Sequence, residues 1–220
     1  LLALFRNGRP TDRARALHIL HDLPGTGAGD TVAALSDSDP RIRETALQLL
    51  ARDANGESLL EPATARSTRP RATDFLEQIL PLADDDDAGV RRALLLSLRN
   101  VATGDVAQPL VKLASSWDGQ DRYYLEAVRS ALLHREPHFL RQLFDMLASQ
   151  AIDSGWGDEA IAVPPYYPIG TNDAFLRPDD PLPPSNAASR VIGLAWVLQC
   201  RESLPALARI LQANSSPSVR

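Results

Sequence analysis

A chain of 220 residues with a formal net charge of −5 is long enough to fold as one domain or one long array without covalent staples. Its single cysteine, Cys200, excludes an internal disulfide and every multi-cysteine zinc or iron–sulfur pattern, and no Cys-x-x-Cys-His sequence is present for haem attachment. Basic charge is scattered and almost wholly arginine, Lys112 being the sole lysine, so the footprint of a nucleic-acid-binding module is missing.

The chain opens inside an apolar helical pattern, LLALFRNGRP, which carries no charged region ahead of an apolar one and so is not an export signal. It closes on SSPSVR, a sequence of the kind that opens a helix elsewhere in the chain, and both ends are therefore expected to have been cut from a longer protein. No apolar run approaches the roughly 18 to 20 residues that a bilayer span requires, so no membrane insertion is expected.

Between the ends, amphipathic helices follow one another. Residues 12–23, DRARALHILHDL, are the first, and residues 30–37, DTVAALSD, the next. Asp39 is placed to cap a helix with Pro40 in its first position, where the missing N–H costs nothing. In that helix Ile42, Ala46, Leu49 and Leu50 fall at i, i+4, i+7 and i+8, the spacing of one buried stripe. DFLEQILPLAD precedes AGVRRALLLSLRNV, in which Val90, Leu94, Leu98 and Val101 form a second stripe. DVAQPLVKLASS precedes QDRYYLEAVRSALL, and a last apolar helix starts near Ser189 with RVIGLAWVLQC. No segment alternates with period two for long enough to demand a sheet.

Placed under one another, these segments bring Arg13, Arg43, Arg91 and Arg122 into one column, with Ala16, Ala46, Leu94 and Leu125 three places later. The gaps are 30, 48 and 31 residues, the middle one reading as one period plus an insertion over residues 52–72. Arg190 opens a further unit. Hairpins this small cannot bury their apolar faces alone, whereas stacked ones share a core. The period, with Pro-x-[Val/Ile]-Arg opening the second helix, resembles short HEAT repeats. The expected fold is therefore all-α, a right-handed α–α superhelix of stacked hairpins forming one array over residues 1–220. The arginine column is expected to be structural, each member paired with acids in or beside its own turn.

A long interruption, residues 154–186, holds seven prolines and three glycines that deny it a long helix. Its Trp156, Tyr166, Tyr167 and Phe175 are too apolar for a solvated linker. It is expected to pack across the array, either as an interface or as a cover over the apolar flank between Ala151 and Ser189.

The segment richest in chemistry is SSWDGQDRYYLEAV. Its Trp117, Asp121, Tyr123, Tyr124 and Glu126 suit a half-buried surface, and with the insertion aromatics they make up the candidate interaction surface. The structural reading is a helix seam with Leu125 and Val128 in the core. Catalysis by carboxylates would need a cleft that the sequence does not show. His18 and His21, and His134 and His138, stand at spacings a metal could use, but no third ligand accompanies either pair and solvated histidines are the plainer reading. ADDDDAG, residues 83–89, lacks the alternation of a calcium loop and is expected to cap the helix near Val90. No catalytic, cofactor-binding or metal-binding residues are assigned, and no enzyme activity is expected of this chain.

The same segment carries a family resemblance. WDGQDRYYLEAV is similar to a motif in the HEAT region of large bacterial proteins of the PVC-type haem-binding, or membrane-bound-dehydrogenase-like, family. Asp118, Gly119, Asp121, Arg122, Tyr124, Leu125, Glu126 and Ala127 match it, while Tyr123 stands where tryptophan is usual. The resemblance implies an exported, periplasmic or extracellular parent that joins a sugar-dehydrogenase-like propeller, a HEAT segment and a c-type cytochrome. Haem c would then belong to another domain of that parent. The expected role is a scaffold binding protein partners or neighbouring domains; the alternative is a HEAT-like enzyme such as a bilin lyase or DNA glycosylase.

Overall fold

The computed structural model describes residues 1–23, 27–54, 72–154 and 186–213. Among them every regular element is helical and no strand occurs, so the protein is all-α as its periodicity predicts. The two expected insertions, 52–72 and 154–186, lie almost wholly outside the described residues, as do Trp156, Tyr166, Tyr167 and Phe175. The chain divides into two compact units, Leu1–Leu98 and Arg99–Arg220.

The first unit contains α1 (Leu2–Asn7), α2 (Pro10–Asp22), α3 (Gly27–Ala34), α4 (Pro40–Ala54), α5 (Ala72–Ile79) and α6 (Ala88–Leu98). Its centre is α4, which packs against α2, α3, α5 and α6. Sequence explains why α4 forms and where it starts. Pro40 occupies the first helical position, and the Asp39 carboxylate accepts the Arg41 N–H at 3.0 Å. Its apolar stripe, Ile42, Ala46, Leu47, Leu49 and Leu50, is buried, each large member contributing roughly 1.5–3 kcal/mol on leaving water. α5 stops at Ile79 because Pro81 lacks an N–H and its ring would clash with the carbonyl of Glu77; the chain continues as a 3₁₀ turn over Leu80–Asp84.

The second unit contains α7 (Thr103–Ser115), α8 (Arg122–Leu132), α9 (Pro137–Asp153), α10 (Ala187–Leu198) and α11 (Leu204–Ala213). α9 packs against α7, α10 and α11, and α8 packs against α7 and α10. α7 carries Pro109 in its interior, at the cost of one backbone hydrogen bond. α8 starts on Asp121, whose side chain accepts the Tyr124 N–H at 3.0 Å, and α10 starts on Asn186 in the same way, accepting from Ser189 at 2.8 Å. No helix among the described residues is long and apolar enough to cross a membrane.

Candidate functional site

Two turns in the first unit share one design. In Asp37–Arg43 the Asp37 carboxylate accepts the Asp39 N–H at 2.9 Å, and in Asp85–Arg91 the Asp85 carboxylate accepts the Asp87 N–H at 2.9 Å. Six residues on, the arginine folds back over its own turn: Arg43 donates to the carbonyls of Asp37 (2.8 Å) and Ser38, and Arg91 to those of Asp85 and Asp86. Each aspartate also receives the arginine of the preceding unit. Arg13 pairs with Asp37, and Arg43 grips Asp85 with two parallel bonds of 2.7 Å. Arg43 thus uses its fork twice, on its own turn and on the next.

The electrostatics follow. The hydrogen bond to Asp85 raises the Arg43 pKa against the lowering effect of burial. Burial alone would raise the Asp85 carboxyl, but the hydrogen bonds from Arg43 and the Asp87 amide, with the charges of Arg43 and Arg91, outweigh it and hold the group below the ordinary aspartate value. ADDDDAG therefore serves the fold: Asp87 accepts from the N–H groups of Gly89 and Val90 and opens α6, and Asp85 is the rung to Arg43.

The helix caps give a register for α8 that differs from the sequence column by three residues. Asp39, Asp87 and Asp121 are the equivalent capping residues, which places Tyr124 with Ile42 and Val90, all three buried, and Leu125 with Arg43 and Arg91. Arg122 is the first residue of α8, equivalent to Pro40, and so leaves the column that alignment assigned to it. Arg190 stays in the column. It lies four residues beyond the cap Asn186, as Arg13 lies four beyond Arg9, and donates to the Trp117 carbonyl at 3.0 Å.

Trp117 and Tyr124, proposed from sequence as surface groups, are core residues at 2% and 1% exposure. The Trp117 indole N–H donates to the Asp121 carbonyl at 2.9 Å, and the Tyr124 hydroxyl donates to the Leu113 carbonyl at 2.9 Å. These are polar tips finding partners inside, as buried indoles and phenols do. The turn between them is closed by Asp118, whose carboxylate accepts the N–H groups of Gln120 (2.7 Å) and Asp121 (2.9 Å) and is held below its ordinary pKa chiefly by those two bonds. Gly119 makes the turn feasible at φ 86°, a conformation that residues with a Cβ rarely adopt. Asp121 is the α8 cap, and Glu126 lies 3.6 Å from Arg129 on the same helix. Of the five residues, only Tyr123 stands out in solvent, at 76% exposure.

Two residues carry structural weight that sequence reading missed. His21, expected to be solvated, is buried to 4% side-chain exposure, with Nδ1 2.9 Å from the Thr31 hydroxyl and Nε2 3.0 Å from Asp53, so it joins α2, α3 and α4. His18, His134 and His138 are exposed. Arg135 is buried beyond α8, following His134 at φ 70°, and donates to the carbonyls of Ala131 (2.8 Å), Arg99 (3.3 Å) and Val101; burial lowers its pKa. A buried arginine among carbonyls leaves no periodic signal. Among the described residues no group of three or more His, Cys, Asp or Glu is arranged to hold a metal.

The second unit contains a pocket of about 230 Å³. Ala114, Leu147, Ala151, Val191 and Leu194 form its apolar wall with Trp117, while Ser115, Gln150, Ser154 and Arg190 supply polar groups. Ser115 and Gln150 lie 3.3 Å apart across α7 and α9. Comparison of the chain with protein-family models, curated proteins and solved structures gives no match.

Proposed function

We propose that the chain is a non-catalytic scaffold, a HEAT-like right-handed superhelix of helical hairpins that holds neighbouring domains or a protein partner. The supporting observation is the repeated joint: the Arg43 fork grips Asp85 while also closing its own turn, and Arg13 pairs with Asp37 while donating to the Phe5 carbonyl, so consecutive hairpins of the first unit are tied at one fixed place per unit. Repetition of one connecting device is how stacked arrays hold their register. The use of Trp117 and Tyr124 as core pins supports the same reading, since it turns the most chemistry-like segment into framework.

The proposal follows the family resemblance in setting such a scaffold within an exported redox-type protein, between a sugar-dehydrogenase-like propeller and a c-type cytochrome. Separate expression of those domains from the same gene tests this by calorimetric titration with the present chain. The expected result is saturable binding to one of them, weakened by Tyr123→Ala. Failure of both domains to bind would overturn the domain-organising reading, and turnover of a bilin-bearing or damaged-DNA substrate would overturn the non-catalytic one.

A further inference from the structure

Among the described arginines only Arg135 is buried, at 8% exposure. A cation taken out of water has to be resolvated by the protein, and what surrounds it shows what it serves. Its Nε donates to the Ala131 carbonyl at 2.8 Å, in the last turn of α8. The remaining contacts, to the carbonyls of Arg99 (3.3 Å) and Val101 and to the Thr103 hydroxyl (3.4 Å), lie on one short stretch that enters α7. His134, at φ 70°, ends α8, and the Arg135 N–H returns to the Leu132 carbonyl at 3.1 Å, so the side chain lies against that last turn. A histidine adopts this left-handed conformation at some cost, which the contacts of Arg135 offset. The stretch it grips is the connection between the two units, because the first ends at Leu98 and the second begins at Arg99. Arg99, Asn100 and Ala102 are exposed and Val101 is half-buried, so apolar burial does little to hold them. Polar contacts hold them instead: Arg135 takes two of their carbonyls, and the Thr103 hydroxyl just beyond donates to Glu136, the residue after Arg135.

We propose that Arg135 is a latch that holds residues 99–102 to the second unit and so sets how much free chain joins the two units. With the latch closed, those residues belong to the second unit and the connection is short. With it open, four more residues join the tether and add up to about 13 Å of reach, at roughly 3.3 Å per residue. Arginine suits the task better than lysine, because its planar fork of five donors meets several acceptors at once, whereas an ammonium is a single point of charge. The latch does not rest on the scaffold reading: it concerns the length of the tether, whatever the two units hold.

Trypsin reads the latch directly, because Arg99 is itself a cleavage site: its side chain is exposed, and the carbonyl of the bond to be cut accepts from Arg135. Cleavage of a folded protein follows the population of locally opened chain. In the whole 220-residue chain, Arg135→Met is expected to raise the rate of cleavage after Arg99 at least about tenfold, the worth of one hydrogen bond to a charged group. Arg135→Lys should recover only part of the protection. Thr103→Val keeps the shape of its side chain, loses the ties to Arg135 and Glu136, and should raise the rate by a smaller factor with the circular dichroism unchanged. Cleavage after Arg129 and Arg141, inside α8 and α9, reports loss of the whole fold and should not change. An unchanged rate after Arg99 in Arg135→Met would overturn the proposal. If that variant instead loses protection equally at all three sites, Arg135→Lys and Thr103→Val decide, and the absence of a selective increase after Arg99 in both overturns it.

Discussion

Adjacent tyrosines make the residue-scale logic plain. Tyr123 and Tyr124 are chemically identical neighbours, yet helix geometry turns one outward and the other into the core, where its hydroxyl reaches Leu113. Tyr124→Phe should therefore lose about 1 kcal/mol of stability, the worth of one buried hydrogen bond, while Tyr123→Ala should change it by less than about 0.5 kcal/mol. Chemical denaturation measures both, and equal effects would contradict the assignment. The Asp85 carboxylate carries a sign that titration can read. Its pKa is lower in the folded state than in the unfolded chain, so its contribution is complete above the unfolded value of about 3.9 and is lost as pH falls through the lower folded value. Asp85→Asn should lower stability at neutral pH by about 2 kcal/mol, within the range for hydrogen bonds to charged groups, and should flatten the fall in melting temperature between about pH 5 and pH 2. An unchanged acid slope would mean that the rung contributes nothing.

At the scale of the helix, the caps decide the register. Asp121 opens α8 as Asp39 opens α4 and Asp87 opens α6. Asp121→Ala should cost about 1 kcal/mol, whereas Asp121→Asn, which keeps an acceptor oxygen, should cost less than half of that. Thermal unfolding of the two variants distinguishes a lost cap from a lost charge. The caps also show what the sequence could and could not disclose. Helix existence, the Ile42 and Val90 stripes, the Asp39–Pro40 start and the capping role of ADDDDAG were legible, because each rests on local spacing. The alignment of Arg122 with Arg43 and Arg91 was not sound, because an arginine at the first helical position and one at the fourth look alike until the capping oxygen is located. The burial of Trp117 and Tyr124 was missed in favour of a surface because a ring with a polar tip suits a half-buried surface and a hydrogen-bonded interior alike, and the carbonyls that receive the two tips, Asp121 and Leu113, are brought to them by packing. His21 and Arg135 depend on partners on other elements, Thr31, Asp53, Arg99 and Val101, and no local pattern announces such contacts.

Across the whole molecule, burial is uneven, and local stability should follow it. α1 has no buried residue, whereas α4 buries Ile42, Ala46, Leu47, Leu49, Leu50 and Ala51, and α8 buries Tyr124, Leu125, Ala127, Val128, Ala131 and Leu132. Amide hydrogen exchange should accordingly be slowest in the middle of α4 and α8 and fastest in α1, by several orders of magnitude. Protection in α1 comparable to that in α4 would show that α1 has a cover the described residues lack. The all-helical class was readable from periodicity along the whole chain, while the pocket beside Arg190 was not, because its walls come from α7, α9 and α10, whose meeting is a product of packing.

The double use of Arg43 and Asp85 has a consequence for inheritance. Asp85 answers to Arg43 and to its own turn through the Asp87 N–H, and Arg43 answers to Asp85 and to the carbonyls of Asp37 and Ser38. A lineage that loses either partner leaves a charge half-buried at the joint and gains nothing until the other changes too. The two positions should therefore drift as a pair, 42 residues apart in the chain yet exchanged together, and a set of divergent descendants would reveal the joint as correlated substitution before any of them was crystallised.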